Sequence, residues 1–183
     1  MSRPVHGNLK YGGVALGDVR SFGPVVDENS RVLILGSMPG EESLRKQQYY
    51  ANPRNQFWPI IYAIFGLKPD VSYDKRINFV LSKGIALWDV IERCERKGSL
   101  DSNIRNEKPN NIKELLKAYQ NIRLVVFNGI KAYKTYRKNI GFGQADGIIY
   151  KRLPSTSPVP GKNIKSLTEK VKDWKIISEF LNK

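Results

Sequence analysis

The sequence has a single cysteine, Cys94, and a single histidine, His6, among its 183 residues. One thiol excludes an internal disulfide, a four-cysteine zinc site and an iron–sulfur cluster held by one chain. One imidazole, close to the first residue, removes histidine-based metal clusters and the Ser-His-Asp triad. No metal and no cofactor is therefore expected. Long apolar runs are missing as well. None approaches the ~18 residues that span a bilayer, and the first residues lack the apolar core of an export signal. The expectation is a cytoplasmic protein without a membrane partner, nucleoid-associated in a prokaryote. Acidic residues are scarce, 17 Asp and Glu against 31 Lys and Arg, which leaves a net charge of +14. Such an excess predicts a polyanionic partner, most simply nucleic acid.

Apolar material is plentiful by comparison. Hydrophobic residues make up 40% of the chain, with three Trp, nine Tyr and seven Phe, enough to fill one compact domain over residues 1–183. Positive charge thickens toward the C-terminus. Residues 129–183 hold 12 Lys and Arg against 4 Asp and Glu, a net of +8, whereas the longer stretch 1–128 carries +6.

Residues 1–30, with Gly12, Gly13, Gly17 and Gly23 among mixed polar residues, suggest an irregular arm. Val32–Leu35 predicts a strand buried on both faces, Ile85–Val90 a second buried strand or strand end, and Arg123–Phe127 and Ile148–Leu153 a third and a fourth strand, the last broken by Pro154. Helical spacing of apolar residues marks Gln56–Phe65, Asp74–Leu81, Asn111–Tyr119, a basic helix through Ala132, Tyr133 and Tyr136, and an amphipathic C-terminal helix Leu167–Leu181. Alternation of the two predicts an α/β fold, a three-layer α/β/α sandwich around a short, mainly parallel four-stranded sheet. Ligands of such sheets bind beyond the carboxyl ends of the strands. That rule selects Gly36–Gly40, Trp88–Asp89, Asn128–Gly129 and Pro154–Pro160.

Each stretch has a bland and a functional reading. Gly36-Ser37-Met38-Pro39-Gly40 is a tight turn that lets backbone N–H groups approach a ligand, but it lacks the Gly-Lys-Ser/Thr ending of a P-loop. Gly141-Phe142-Gly143 lacks the third glycine of a dinucleotide fingerprint, because position 146 is Asp. The stretch 47–58 joins amides, adjacent tyrosines and Arg54, suited to water, base edges and phosphate respectively. Within it, Asn55 also suits capping of the following helix, and Phe57 and Trp58 suit the core. Leu153–Gly161 packs three prolines with Ser155, Thr156 and Ser157 into a stiff loop, flanked by Lys151, Arg152, Lys162 and Lys165. Hydroxyls and charges so placed suit phosphate contacts, and equally a plain surface turn.

Taken together, GSMPG (36–40) with YYANPRNQFW (49–58), then ALWDVIERCERKGSLDSNI (86–104) and LPSTSP (153–158), resemble the uracil-DNA glycosylase superfamily. They are most similar to its hypoxanthine-DNA glycosylase branch, from about Phe22 to the C-terminus. The resemblance implies an enzyme that flips a damaged base from the duplex, hydrolyses its N-glycosidic bond and leaves an abasic site. Laid on the Gly-Ile-Asn-Pro-Gly motif of the mismatch-uracil branch, residues 36–40 put Met38 where that motif has its Asn. The Asn-x-Phe-Trp position then supplies the working amide, Asn55, with Asn52 in reserve. Tyr50 matches the aromatic that stacks on the flipped base. Gly36, Ser37, Met38 and Pro39 line the base pocket with Phe57, Trp88 and Asn128. The His-Pro-Ser motif of the classical uracil enzymes becomes Leu153-Pro154-Ser155, so the histidine that steadies an anionic uracil is absent. That departure fits a purine leaving group.

Asp89 is the carboxylate placed to act as base or to balance the developing sugar cation; its bland reading is a helix N-cap. Arg54, Lys151, Arg152, Ser155, Thr156, Ser157, Lys162 and Lys165 are expected to contact DNA. No lysine is marked for Schiff-base chemistry, so a monofunctional hydrolase is expected. The expected partner is double-stranded DNA with a damaged or mismatched base, single-stranded DNA being a second form, and the protein is expected to be a monomer. A binding-only protein on the same scaffold is the alternative, suggested by Met38. A hydrolase of free nucleosides fits poorly, since a small substrate needs no +14 field.

Overall fold

The structure is a computed structural model in which residues 17–143 and 146–183 are described. His6 and the first half of the expected arm lie outside the described residues. The strands are β1 (Gly17–Arg20), β2 (Val32–Gly36), β3 (Ile85–Asp89), β4 (Ile91–Arg96), β5 (Arg105–Pro109), β6 (Leu124–Asn128) and β7 (Ile149–Leu153). The helices are α1 (Glu41–Lys46), α2 (Phe57–Ala63), α3 (Tyr73–Ser82), α4 (Ile112–Ala118), α5 (Ile130–Asn139), α6 (Leu167–Trp174) and α7 (Ile176–Leu181).

β2, β3, β6 and β7 form the expected parallel sheet in the order β3-β2-β6-β7. Every residue of β2 is buried, as a central strand covered on both faces requires. Side chains alternate between two cores. Val32, Ile34, Ile85, Leu87 and Val126 pack with α2, α3, α6 and α7 through residues such as Phe57, Ile61, Val80, Trp174 and Ile177. Leu33, Leu35, Ala86, Val125 and Phe127 pack with α4 and α5 through Leu115, Leu116, Ala132 and Tyr136. Helices therefore cover both faces of the sheet, which is the three-layer arrangement read from the sequence.

Three differences from that reading bear on the site. The described part of the arm is not wholly irregular: its residues Gly17–Arg20 form β1, which pairs antiparallel with β4, and β4 with β5, making a second, three-stranded sheet. Farther along the arm, Val25 exchanges two backbone hydrogen bonds with Leu87, at 2.9 and 2.8 Å, and so covers the open edge of β3. Glu41-Glu42-Ser43, which the sequence suggests as a polar turn after Gly40, is the first turn of α1. The C-terminal helix is split at Lys175 into α6 and α7, which keep Val171, Trp174, Ile177, Phe180 and Leu181 inward.

Candidate active site

Chain direction fixes where a ligand fits. From β2 the chain crosses to β3 on one side, and from β6 it crosses to β7 on the other, so the strand order reverses between β2 and β6. A crevice opens at such a reversal, beyond the carboxyl ends of the strands. Gly36 ends β2, Asp89 ends β3 in register with it, and Asn128 ends β6. By strand alternation Asp89 follows Leu87 and Asn128 follows Val126 onto the α2 face of the sheet.

Tyr50 joins them from the loop between α1 and α2. It adopts a left-handed backbone conformation, φ 55°, and its ring lies flat on Phe57, with centroids 3.7 Å apart and planes 15° apart. Its hydroxyl accepts a hydrogen bond from Asn128 Nδ2 at 3.3 Å. A Cβ on Gly36 would overlap Asp89 Oδ1 and stand 3.2 Å from the Tyr50 hydroxyl. Glycine at 36 thus lets a carboxylate and a phenol close on one strand end. Asp89 is 4% exposed, and its Oδ2 has no hydrogen-bond partner. Burial, and secondarily the Asp101 charge, raise its pKa to about 7 against the opposing pull of Arg96. Burial also raises the Tyr50 phenol, helped by the charge of Asp89.

Asn128 ties this cluster to the loop after β7. Its Oδ1 accepts from Thr156 N at 2.9 Å, and its Nδ2 donates to Thr156 Oγ1 at 2.9 Å. Thr156 O accepts from Gln56 N at 2.9 Å, next to α2. Gln56 Oε1 in turn accepts from Lys170 Nζ of α6 at 2.7 Å. Lys170 is 4% exposed, and burial lowers its pKa. One hydrogen-bonded chain therefore runs from α6 to Tyr50.

A family model, the uracil DNA glycosylase superfamily, matches residues 24–178. The chain belongs to that superfamily. A protein of Methanosarcina acetivorans named hypoxanthine DNA glycosylase is 38% identical over 161 residues, spanning 86% of this chain and 96% of the relative. A protein of the same name from Methanosarcina barkeri is 36% identical over 158 residues, spanning 85% and 94%. The solution NMR structure of a candidate uracil DNA glycosylase from M. acetivorans matches with a TM-score of 0.75 at 35% identity, covering 91% of this chain and 100% of that one. The expected family, the fold and the DNA-repair glycosylase class are borne out.

Several residues singled out in the glycosylase's sequence lie elsewhere than expected. Trp88 is one residue from Asp89 and so points to the opposite face, against the α4–α5 core, with Nε1 donating to Phe22 O at 2.9 Å. It does not line the crevice. The Met38 side chain packs in a small core with Ile91, Cys94 and Ile104. Thr156 is fully buried and spent on Asn128, so its hydroxyl is not offered to a phosphate. Lys151 and Arg152 are consecutive on β7 and face opposite sides; Arg152 lies over the Tyr133 ring, 6.0 Å from its centroid. Lys165 is held in an ion pair with Asp173 of α6.

The two asparagines both brace backbone. Asn55 Oδ1 accepts at 2.9 Å from the backbone N of Phe57, the first residue of α2, but the N-cap position itself is Gln56, so Asn55 braces the helix start from one residue before the cap. Asn52 Oδ1 accepts from Arg54 N at 2.9 Å. Asp89 caps no helix, since the chain continues into β4. Ser37 Oγ donates to Asp101 Oδ1 at 2.7 Å, and Ser155 Oγ accepts from Ser157 N at 3.2 Å. Arg54, Lys151 and Lys162 remain exposed.

Sequence reasoning missed two buried cations. Lys170 is one. Arg96 is the other: 3% exposed, it donates from Nη2 to Pro39 O and so pins the Gly36–Gly40 loop, while its Nε and Nη1 have no partner. The one trace of Arg96 in the sequence is its spacing of two from Cys94 on β4. No group of three or more His, Cys, Asp or Glu able to hold a metal occurs among the described residues. None of the described helices is long and apolar enough to cross a membrane.

Proposed function

We propose that the protein removes hypoxanthine from DNA, with Asn55 orienting the water that attacks the anomeric carbon. The observation that carries this reading is the convergence of Tyr50 and Asp89 on Gly36, with Asn128 bonded to Tyr50, at the strand-order reversal of a sheet whose family acts on DNA bases. Two relatives named hypoxanthine DNA glycosylase, similar over most of the chain, favour the purine. Tyr50, backed by the ring of the fully buried core residue Phe57, supplies a flat surface for a base lifted out of the stack, and the backbone of the Gly36–Gly40 loop supplies donors toward its edge. The Asn55 carbonyl spends one lone pair on Phe57 N and keeps a second for water. That backbone bond fixes its direction, as a positioned nucleophile requires. Asn52, bonded in the same way, is the reserve.

The substrate in this reading is duplex DNA with hypoxanthine in a poor pair, which lowers the cost of extrusion by part of a few kcal/mol. Single strands are a second form, and a monomer suffices because every group in the crevice comes from one chain. Arg54, Lys151, Lys162, Ser155 and Ser157 are assigned to the flanking phosphates; Arg152 and Lys165 keep only secondary parts. The binding-only alternative drew on Met38. Its side chain is a core residue, so the missing amide there does not speak for lost catalysis.

The test is a panel of duplexes bearing one hypoxanthine, uracil, xanthine or ethenoadenine, assayed for abasic product. Hypoxanthine is expected to be cleaved fastest and uracil poorly. No abasic product from any lesion overturns the proposal. Asn55→Ala should lower turnover by about 100-fold or more, the scale of a lost positioning group, with DNA affinity changed only a few-fold. Retained turnover transfers the role to Asn52 or Asp89.

A further inference from the structure

Asp89 raises a question that water positioning leaves open. It is a carboxyl group 4% exposed, at the floor of the crevice, with one oxygen lacking any partner. Arg96 of β4, whose charge acts on it, does not pair with it and spends its bond on Pro39 O. Asp101, just past β4, adds negative charge that opposes ionisation of Asp89. Tyr49 and Tyr50 face it from the loop before α2, and Asn128 is spent on Tyr50 and Thr156. A carboxylate here would be a buried anion with Oδ2 unpartnered, an arrangement that favours the neutral acid. The neutral acid leaves an O–H on the wall of a crevice where the base is to leave.

We propose that Asp89 works as a carboxylic acid, giving its proton to a ring nitrogen of the departing purine. The inference rests on the hypoxanthine reading above and adds to it the fate of the leaving group. As the C1′–N9 bond breaks, its electron pair goes to the base, and the Asp89 proton moves to N7 or N3, so that neutral hypoxanthine departs. Water adds its oxygen to C1′ and loses one proton, which returns Asp89 to its acid form. Atoms and charge balance without a co-reactant. Purines carry such ring acceptors, and a histidine that would steady an anionic pyrimidine is missing at Leu153. The buried acid therefore accounts for a preference in leaving group as well as for rate.

The experiment is single-turnover cleavage of hypoxanthine duplexes from pH 5.5 to 9 by the wild-type protein and Asp89→Asn. The wild-type rate should be flat below about pH 7 and fall about tenfold per unit above it. Asp89→Asn should lose roughly 100-fold at pH 6 and show no fall above 7. Duplexes with 7-deaza- or 3-deazahypoxanthine remove one ring acceptor each. With one of them the wild-type protein should slow to the level of Asp89→Asn, which should lose nothing more. A wild-type rate that rises with pH through 7, or additive losses with both deaza bases, overturns the proposal. The wild-type profile stands even if the variant fails to fold. Absence of all hypoxanthine cleavage would instead overturn the hypoxanthine reading, so the two failures are distinct.

Discussion

A buried acid that prefers its proton in the fold leaves a mark on stability. The pKa of Asp89 rises from 3.8 to about 7 on folding. The native state therefore binds more protons than the unfolded state between those values, and stability falls as pH rises through the window. Below about pH 4 both states are protonated and the penalty vanishes. Asp89→Asn, which is never charged, should therefore melt higher than the wild type at pH 8, by an amount on the order of a few kcal/mol, and should match it near pH 4. Urea titrations at the two pH values check this; an asparagine variant less stable at pH 8 would mean that the carboxylate has a partner. The neighbouring glycine gives the complementary case. Gly36→Ala places a methyl group against Asp89 Oδ1 and 3.2 Å from the Tyr50 hydroxyl, so these groups must move apart. The expected result is loss of turnover with a fold intact by circular dichroism.

Helix α6 shows how an element far from the crevice holds it in shape. Its start is a capping box: Ser166 Oγ accepts from Glu169 N at 3.3 Å, while Glu169 Oε2 accepts from Ser166 N at 2.7 Å. Its length then delivers Lys170 to Gln56 and Trp174 Nε1 to Pro154 O at 3.1 Å. Ser166→Ala should cost about 1 kcal/mol, visible as a melting shift of about 2–4 °C. The same element shows what a sequence conceals. β2, β3 and β6 were legible because burial on both faces writes a continuous apolar run, as in Val32-Leu33-Ile34-Leu35, whereas β7 is an edge strand of which only Leu153 is buried. The small sheet was not legible. β5 reads Arg-Asn-Glu-Lys-Pro, and the pairing of β4 with β5 shifts register between Ile91 and Arg93 and again between Arg93 and Glu95, which scrambles the two-residue alternation. At the site, Asp89 and Asn128 were legible because the strand-end rule needs only the strands, whereas Tyr50, in the loop between α1 and α2, was legible only through the family resemblance. Trp88 was misplaced by a single residue of alternation. Arg96 and Lys170 were illegible for another reason: their partners are a backbone carbonyl and a side-chain amide, and neither leaves a charge pattern.

At the scale of the molecule, the net charge of +14 acquires a direction. Lys151 shares a face of the sheet with Leu153 and the crevice, whereas Arg152 turns to the α5 side and rests on Tyr133. The two adjacent cations should therefore behave differently. Lys151→Ala should weaken DNA binding and lower the salt slope of log K by roughly one unit, the signature of one lost phosphate contact. Arg152→Ala should change both much less. Fluorescence anisotropy between ~50 and ~200 mM salt distinguishes them, and equal losses would place the DNA across both faces of β7.

The chain's one thiol offers a view of motions that no crevice assay detects. Cys94 is 2% exposed, enclosed with Met38, Ile91 and Ile104 where β4 lies between β1 and β5, and burial raises its pKa. A thiol-reactive dye can reach it only when that small sheet opens, so the unaltered protein carries its own clock for local unfolding. Because Arg96 on the same strand pins the Gly36–Gly40 loop through Pro39 O, labelling of Cys94 also times the release of the loop that ends β2. Labelling should be slow in buffer and should slow further when DNA holds the loop in place. A dye reaction as fast as that of a free cysteine would show that the small sheet breathes independently of the site.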